Sequence, residues 1–186
     1  MTICPKQEKS REPTRDRILR HAIERFSSQS FDTTGLREIA TCSGVDVALV
    51  HRSFGSKERL FAECVRTSLT LDGVLDQPCT ETMDRIFEET VTPREEGELR
   101  PIDILVHSFS CTEASRVLRE VAAELVIDPL VKVSNHGSDL RVALSLSILF
   151  GFAIMRDVIG IEALKQADLD EVRRLLGKAR DALEQE

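Results

Sequence analysis

The chain of 186 residues has no tryptophan and no tyrosine, so its aromatic chemistry rests on eight phenylalanines and four histidines. No run of eighteen uninterrupted apolar residues occurs, which excludes an ordinary membrane-spanning helix. The first residues, Met1-Thr-Ile-Cys-Pro-Lys-Gln-Glu-Lys, lack the apolar core of a secretory signal, so a cytoplasmic location is expected. The five cysteines (Cys4, Cys42, Cys64, Cys79, Cys111) are odd in number and widely scattered. That suits reduced thiols and argues against a disulfide framework. There is no nucleophile elbow, no P-loop and no dinucleotide fingerprint, so neither an enzyme nor a cofactor is expected. Internal repeats and low-complexity tracts are absent as well.

What is present is charge, unevenly placed. The net charge is −7, which taken whole speaks against nucleic acid. Residues 1–57 carry ten Lys/Arg against seven Asp/Glu, whereas residues 58–186 carry fifteen against twenty-five. A basic N-terminal module on an acidic body fits a polyanion held at one end and kept off the rest.

Hydrophobic periodicity gives an all-α chain with nine candidate helices. Residues 1–13, with Lys6, Lys9, Arg11, Pro5 and Pro13, read as a flexible basic arm. The first helix starts at Thr14 as N-cap and buries Ile18, Leu19, Ala22, Ile23 and Phe26. The fourth starts at Ser56-Lys57 and runs to about Leu75 on an apolar face of Leu60, Phe61, Cys64, Val65 and Leu69. Further helices are expected at 81–91, 102–110 and 113–127, with Pro129 and Asn135-His136-Gly137 as breakers. The eighth, from Ser138 to Gly160, is apolar on nearly every face, so both sides need cover. One side faces the chain's own core, and the other is expected to face a second copy. The ninth opens with Asp168 and Glu171 at capping-box spacing and carries Leu169, Val172, Leu175, Leu176, Ala179 and Leu183.

The most informative segment is residues 34–57. Ile39 and Ala40 lie in a short second helix, and Gly44 suits a positive-φ turn that ends it. Asp46 can cap a third short helix that runs to Phe54. Leu36, Ile39, Ala40, Val45, Val50 and Phe54 are spaced to make one small core, which leaves Val47, Ala48, Leu49, His51 and Arg52 facing outward. This is helix-turn-helix geometry with the third helix as reader.

Ile39-Ala40, Gly44-Val45, Phe54-Gly55-Ser56-Lys57 and Leu60 resemble the signature of TetR-type transcriptional regulators, over roughly residues 14–61. The resemblance implies a helix-turn-helix DNA-binding domain at 14–57 and a helical effector-binding and dimerisation domain at 58–186. It also implies roles for single residues. Thr34 falls at the hydroxyl position opening the motif, and Arg37 at a position that reaches a base edge or a phosphate. Val47, Ala48 and Leu49 open the reading helix, where small side chains touch thymine methyls. His51 stands where most relatives carry tyrosine. Arg52 is the candidate for bidentate contact to guanine, Ser53 for a phosphate bond. Lys57 joins its ammonium to a helix N-terminus to hold a phosphate. Gly35 departs from the pattern, since relatives usually have a second hydroxyl there.

For the body, the resemblance implies a homodimer seam drawing on Leu146, Phe150, Phe152, Val172, Leu176 and Ala179. It also implies an effector cavity drawing on Met83, Phe87, His107, Phe109, Arg116, Phe150 and Met155, with Arg116 for a carboxylate and His107 for a hydrogen bond. The expected function is a homodimeric repressor released from a palindromic operator by a small, largely apolar effector. The alternative is an architectural or partner-protein-binding factor on the same scaffold, and a closed, packed body favours it. His107 and Cys111 lie four apart, as two metal ligands on one helix face could. With no CxxC or HExxH in the chain, no metal is expected.

Overall fold

The computed structural model describes residues 12–69, 79–95, 97–133 and 138–184. Every regular element among them is helical. In chain order they are α1 (Thr14–Phe26), α2 (Leu36–Cys42), α3 (Val47–Phe54), α4 (Lys57–Ser68), α5 (Cys79–Val91), α6 (Pro101–Ser108), α7 (Thr112–Ala122), α8 (Asp128–Val133), α9 (Asp139–Ala153), α10 (Glu162–Lys165) and α11 (Leu169–Glu184). Most of the arm expected at 1–13, the continuation of the fourth helix to Leu75 and the breaker Asn135-His136-Gly137 lie outside the described residues. The chain forms two units, Met1–Thr70 with Leu99–Val121, and Leu71–Glu98 with Ala122–Glu186.

In the first unit, α1 buries Ile18, Ala22 and Phe26, four residues apart on one face, and packs on Leu60, Phe61, Cys64 and Val65 of α4. Phe61 meets Phe26 and Phe31 edge-on, with ring centroids 5.0 and 5.1 Å away, the geometry that the ring quadrupoles favour. Helix α1 begins one residue earlier than expected. Pro13 is its N-cap, and Thr14 is already helical. Pro101 takes the first position of α6, where a missing N–H costs nothing.

In the second unit, α5 buries Met83, Phe87 and Val91 on one face and packs on α9, α8 and α11. Asp168 caps α11 by accepting from the amides of Asp170 (2.9 Å) and Glu171 (3.0 Å), as the spacing predicts. Ion pairs tie α11 to α5 through Arg173–Glu88 (3.0 Å) and Arg180–Asp84.

Pro129 is not a breaker. It lies in the first turn of α8, which follows a π-helical turn at Ala123–Ile127 directly after α7. The wider i→i+5 turn before it makes room for the proline ring and its missing N–H. A second π turn, Ile154–Val158, follows α9, and Gly160 (φ 77°) closes it. That turn places Arg156 in the interior. Its guanidinium donates to the carbonyls of Val91 (2.5 Å), Thr90 (2.8 Å) and Thr92 (3.4 Å) and pairs with Asp157 (2.7 Å). The C-terminal carbonyls of α5, which have no partner within their own helix, are satisfied this way.

The side of α9 that faces its own unit carries Val142, Leu146, Leu149 and Phe152, all buried. Leu146 (5 % exposed), Phe152 (9 %) and Val172 of α11 (8 %) are thus covered by their own chain. The expectation that they form an intersubunit seam is corrected on that ground: they have no apolar surface left for a second copy. The exposed apolar residues of this region are Leu140 (67 %), Leu144 (42 %), Met155, Val158 and Ile159, with Leu175 on α11.

Candidate functional site

The helix-turn-helix is built from the turns outward. Gly44 adopts φ 64°, and Val45 N–H donates back to the Ala40 carbonyl (3.0 Å), closing α2. The Asp46 carboxylate accepts from the Ala48 amide (2.7 Å), which fixes the start of α3. Val50 and Phe54 are buried beneath α3, together with Ile39 and Ala40 of α2, while Leu36 and Val45 are half-buried. Gly55 adopts φ 82°, and a Cβ there would meet the Arg59 side chain at 3.2 Å. Ser56 then caps α4 by accepting from the Arg59 amide (3.2 Å). A hydrogen bond from Ser56 also holds the Glu58 carboxyl below the usual carboxylate range.

Helix α1 clamps this unit. Arg15 lies over the Phe54 ring, 4.6 Å from its centroid, and pairs with Glu63 (2.9 Å). Arg17 donates to the Ser43 carbonyl (3.0 Å) at the end of α2. Arg25 pairs with Glu38 (3.2 Å) and donates to the Cys42 sulfur (3.2 Å). Buried Cys64 has its thiol pushed up by desolvation, so it is packing and not a reactive group.

The residues proposed to read DNA are not all alike. Ala48, His51 and Arg52 are exposed, and Val47, Leu49 and Ser53 are half-buried around them. Arg37 on α2 is exposed too, and among the described residues neither Arg37 nor Arg52 has a side-chain partner. His51 Nδ1–H donates to the Gly55 carbonyl (3.2 Å), which leaves Nε2 as acceptor in the neutral ring. Lys57 sits with its ammonium 4.4 Å from the Phe31 ring centroid and 3.5 Å from the Asp32 carbonyl. Thr34 is fully buried, and its hydroxyl donates to the Ser30 carbonyl (3.0 Å). Its place is the turn before α2; it offers a phosphate nothing, contrary to the role expected for it.

Among the described residues, those expected around an effector do not line one void together. Met83 and Phe87 line a small void with Ser145, Ile148, Leu149, Leu176 and Arg180, of about 10 Å³. A second void of about 10 Å³ in the first unit is lined by Val65, Ser68, Leu69, Pro101, Ile104, Leu105 and Leu118. Each holds about one water molecule. His107, Phe109 and Arg116 are exposed and line neither, and Arg116 pairs with Glu120 (2.8 Å). Phe150 is half-buried and Met155 exposed, and both also lie outside the two voids. His107 and Cys111 are not on one helix face, because α6 ends at Ser108 before Cys111. Sequence reasoning passed over Arg180 and Arg156, since an arginine in an amphipathic or apolar helix reads as solvated until the neighbouring helices are placed.

Residues 18–64 match the family model for bacterial regulatory proteins of the tetR family. Residues 81–182, over half of the chain, match that for the tetracyclin repressor-like C-terminal domain. The fold is similar to that of a TetR-family regulator from Streptomyces coelicolor A3, at 27% identity and TM-score 0.60, with 95% of this chain and 99% of that one covered. It is also similar to NalD, described as the secondary repressor of the MexAB-OprM multidrug efflux pump in Pseudomonas aeruginosa, at 19% identity and TM-score 0.66, over 91% and 94% of the two chains. None of the curated proteins matches the chain. No helix among the described residues is long and apolar enough to cross a membrane.

Proposed function

The chain belongs to the TetR family of bacterial regulatory proteins, and from that premise we propose that it is a homodimeric repressor reading a palindromic operator through α3. The observation that carries the reading is the division of α3 itself. Val50 and Phe54 hold the helix to its unit, while Ala48, His51 and Arg52 are exposed and Arg52 has no partner among the described residues. A cation free of intramolecular pairing is available to the O6 and N7 acceptors of guanine. One such helix reads only a few base pairs, so two copies about a two-fold axis are needed for a long site. The exposed Leu140, Leu144 and Leu175 support the second copy.

Control by a small apolar effector is the finer part of the proposal. The void at Met83 and Phe87 is too small for a ligand as it stands. An effector therefore acts by binding an opened conformation in preference to this one, since equal affinity for both shifts nothing. The small size of that void favours a second reading, in which the body binds a partner protein and no small molecule. A family of hydrophobic carboxylates and drug-like cations, titrated into an operator complex, separates the two: release of DNA supports the effector, and indifference across the set supports the partner.

The DNA reading is tested on a site selected from random duplexes. Arg52→Ala should weaken binding to that site by about 1–3 kcal/mol and leave random DNA nearly unaffected. Lys57→Ala should weaken both alike and lower the salt slope by about one unit. Equal losses for both variants on both DNAs would refute this assignment.

A further inference from the structure

We infer that the first unit carries a binding site for a thiophilic divalent cation of the Zn²⁺ class, formed by the Cys111 thiolate and the carboxylates of Asp32 and Glu113. Asp32 lies in the turn between α1 and α2, and Cys111 and Glu113 lie at the start of α7, 79 and 81 positions further along the chain. The buried Cys111 sulfur is 3.3 Å from Asp32 Oδ1 and 3.3 Å from Glu113 Oε2, and all three ligand atoms fall within 4.8 Å of one another. A tetrahedral ion with bonds of about 2.3 Å to sulfur and 2.1 Å to oxygen sets its donors about 3.4–3.6 Å apart. The thiol-to-carboxylate distances already lie near that range, and the two carboxylates have at most about 1.4 Å to close.

The charge balance points the same way. Among the described residues, neither Asp32 nor Glu113 has an ion-pair partner. The Lys57 ammonium meets the Asp32 main-chain carbonyl and the Phe31 ring and makes no ion pair with either carboxylate. Two carboxylates converging on a buried thiol without a cation repel one another, and a bound divalent ion removes that repulsion. One soft sulfur and two hard oxygens select a borderline ion such as Zn²⁺ over Mg²⁺ or Ca²⁺. Both carboxylates are exposed, so the ion enters from solvent and keeps a water in the fourth position. On binding, the S–H bond breaks, a sulfur–metal bond forms and the proton leaves to solvent, with no change of oxidation state. Because Asp32 leads into Thr34 and α2, a bound ion restrains the entry to the helix-turn-helix. The inference does not depend on the chain binding DNA.

The test is a Co²⁺ titration of chelator-treated full-length protein kept reduced, read by absorbance, followed by displacement with Zn²⁺. The expected result is a near-ultraviolet thiolate-to-cobalt charge-transfer band saturating at one ion per chain and abolished by Zn²⁺. Cys111→Ser should remove the band, while Cys42→Ser, Cys4→Ser and Cys79→Ser keep it. Asp32→Asn and Glu113→Gln, both at exposed positions that tolerate substitution, should each weaken binding about ten-fold or more. These two keep the inference testable if Cys111→Ser does not fold. Absence of a band in the wild-type chain, a band that survives Cys111→Ser, or unchanged affinity in both carboxamide variants overturns the site.

Discussion

Replacing Arg156 by methionine tests the account of the second unit most directly. The substitution keeps an unbranched stem of comparable reach and removes every donor. Five hydrogen bonds go: two to Asp157, and one each to the carbonyls of Thr90, Val91 and Thr92. The Thr92 carbonyl belongs to an exposed residue and can turn to water, and Thr90 is half-buried. Val91 is buried, so its carbonyl is left unsatisfied at a cost of about 1–3 kcal/mol. The Asp157 side chain is only 9% exposed and loses its one cation. Breaking a buried pair from one side costs about 3–5 kcal/mol, a range that already contains part of the carbonyl term. The expected loss in urea denaturation followed by far-ultraviolet circular dichroism is thus about 3–5 kcal/mol. Arg156→Met with Asp157→Asn should recover part of it, because the stranded charge is gone. Arg156→Lys should fall between, since an ammonium cannot span three carbonyls and a carboxylate at once. A single-variant loss below about 1 kcal/mol, or a double variant no more stable than the single, would refute the reasoning.

Two further outcomes are expected. Leu144→Glu should leave the monomer folded and abolish self-association in sedimentation, whereas Leu146→Glu should unfold the second unit, because only the latter is buried in its own chain; the reverse pattern places the seam on the other side of α9. Ser56→Ala should cost about 1 kcal/mol through the lost cap of α4. It should also flatten the acid limb of stability. The Glu58 carboxyl is held low mainly by Ser56, so its contribution is present above the unfolded value near pH 4.3 and fades as pH falls through the folded one. Thermal melts of both proteins from pH 6 to pH 3 read the difference.

The helix-turn-helix was legible because each of its parts announces itself locally. Gly44 and Asp46 act within four residues of themselves, and both sit as their chemistry dictates. The facing of α9 was not legible. A helix apolar on all sides has no preferred side to read, so Leu146 and Phe152 could be assigned to either face until α5 and α11 were placed against them. Pro129 misled for a different reason: proline ordinarily stops a helix interior, and here a π turn directly before α8 accommodates it. The short α10 carries no apolar period, having no buried residue. Arg156 and the Cys111–Asp32 approach depend on partners more than sixty positions away, beyond any local pattern.

On the proposed reading of DNA by α3, the partition of that helix bears on how the target changes. The contacts that hold the helix in place belong to Val50, Phe54 and the Asp46 cap, and the side chains offered to a partner are Ala48, His51 and Arg52 with Val47 and Leu49 beside them. The two sets share no residue. Substitutions at exposed positions ordinarily shift stability by less than about 0.5 kcal/mol. The exposed Ala48, His51 and Arg52 can therefore drift while the scaffold stays folded, and on the proposed reading a duplicated copy acquires a new operator by changing a few side chains without passing through an unfolded intermediate. Of these three exposed residues, His51 carries a structural cost, because its ring also donates to the Gly55 carbonyl at the bend into α4.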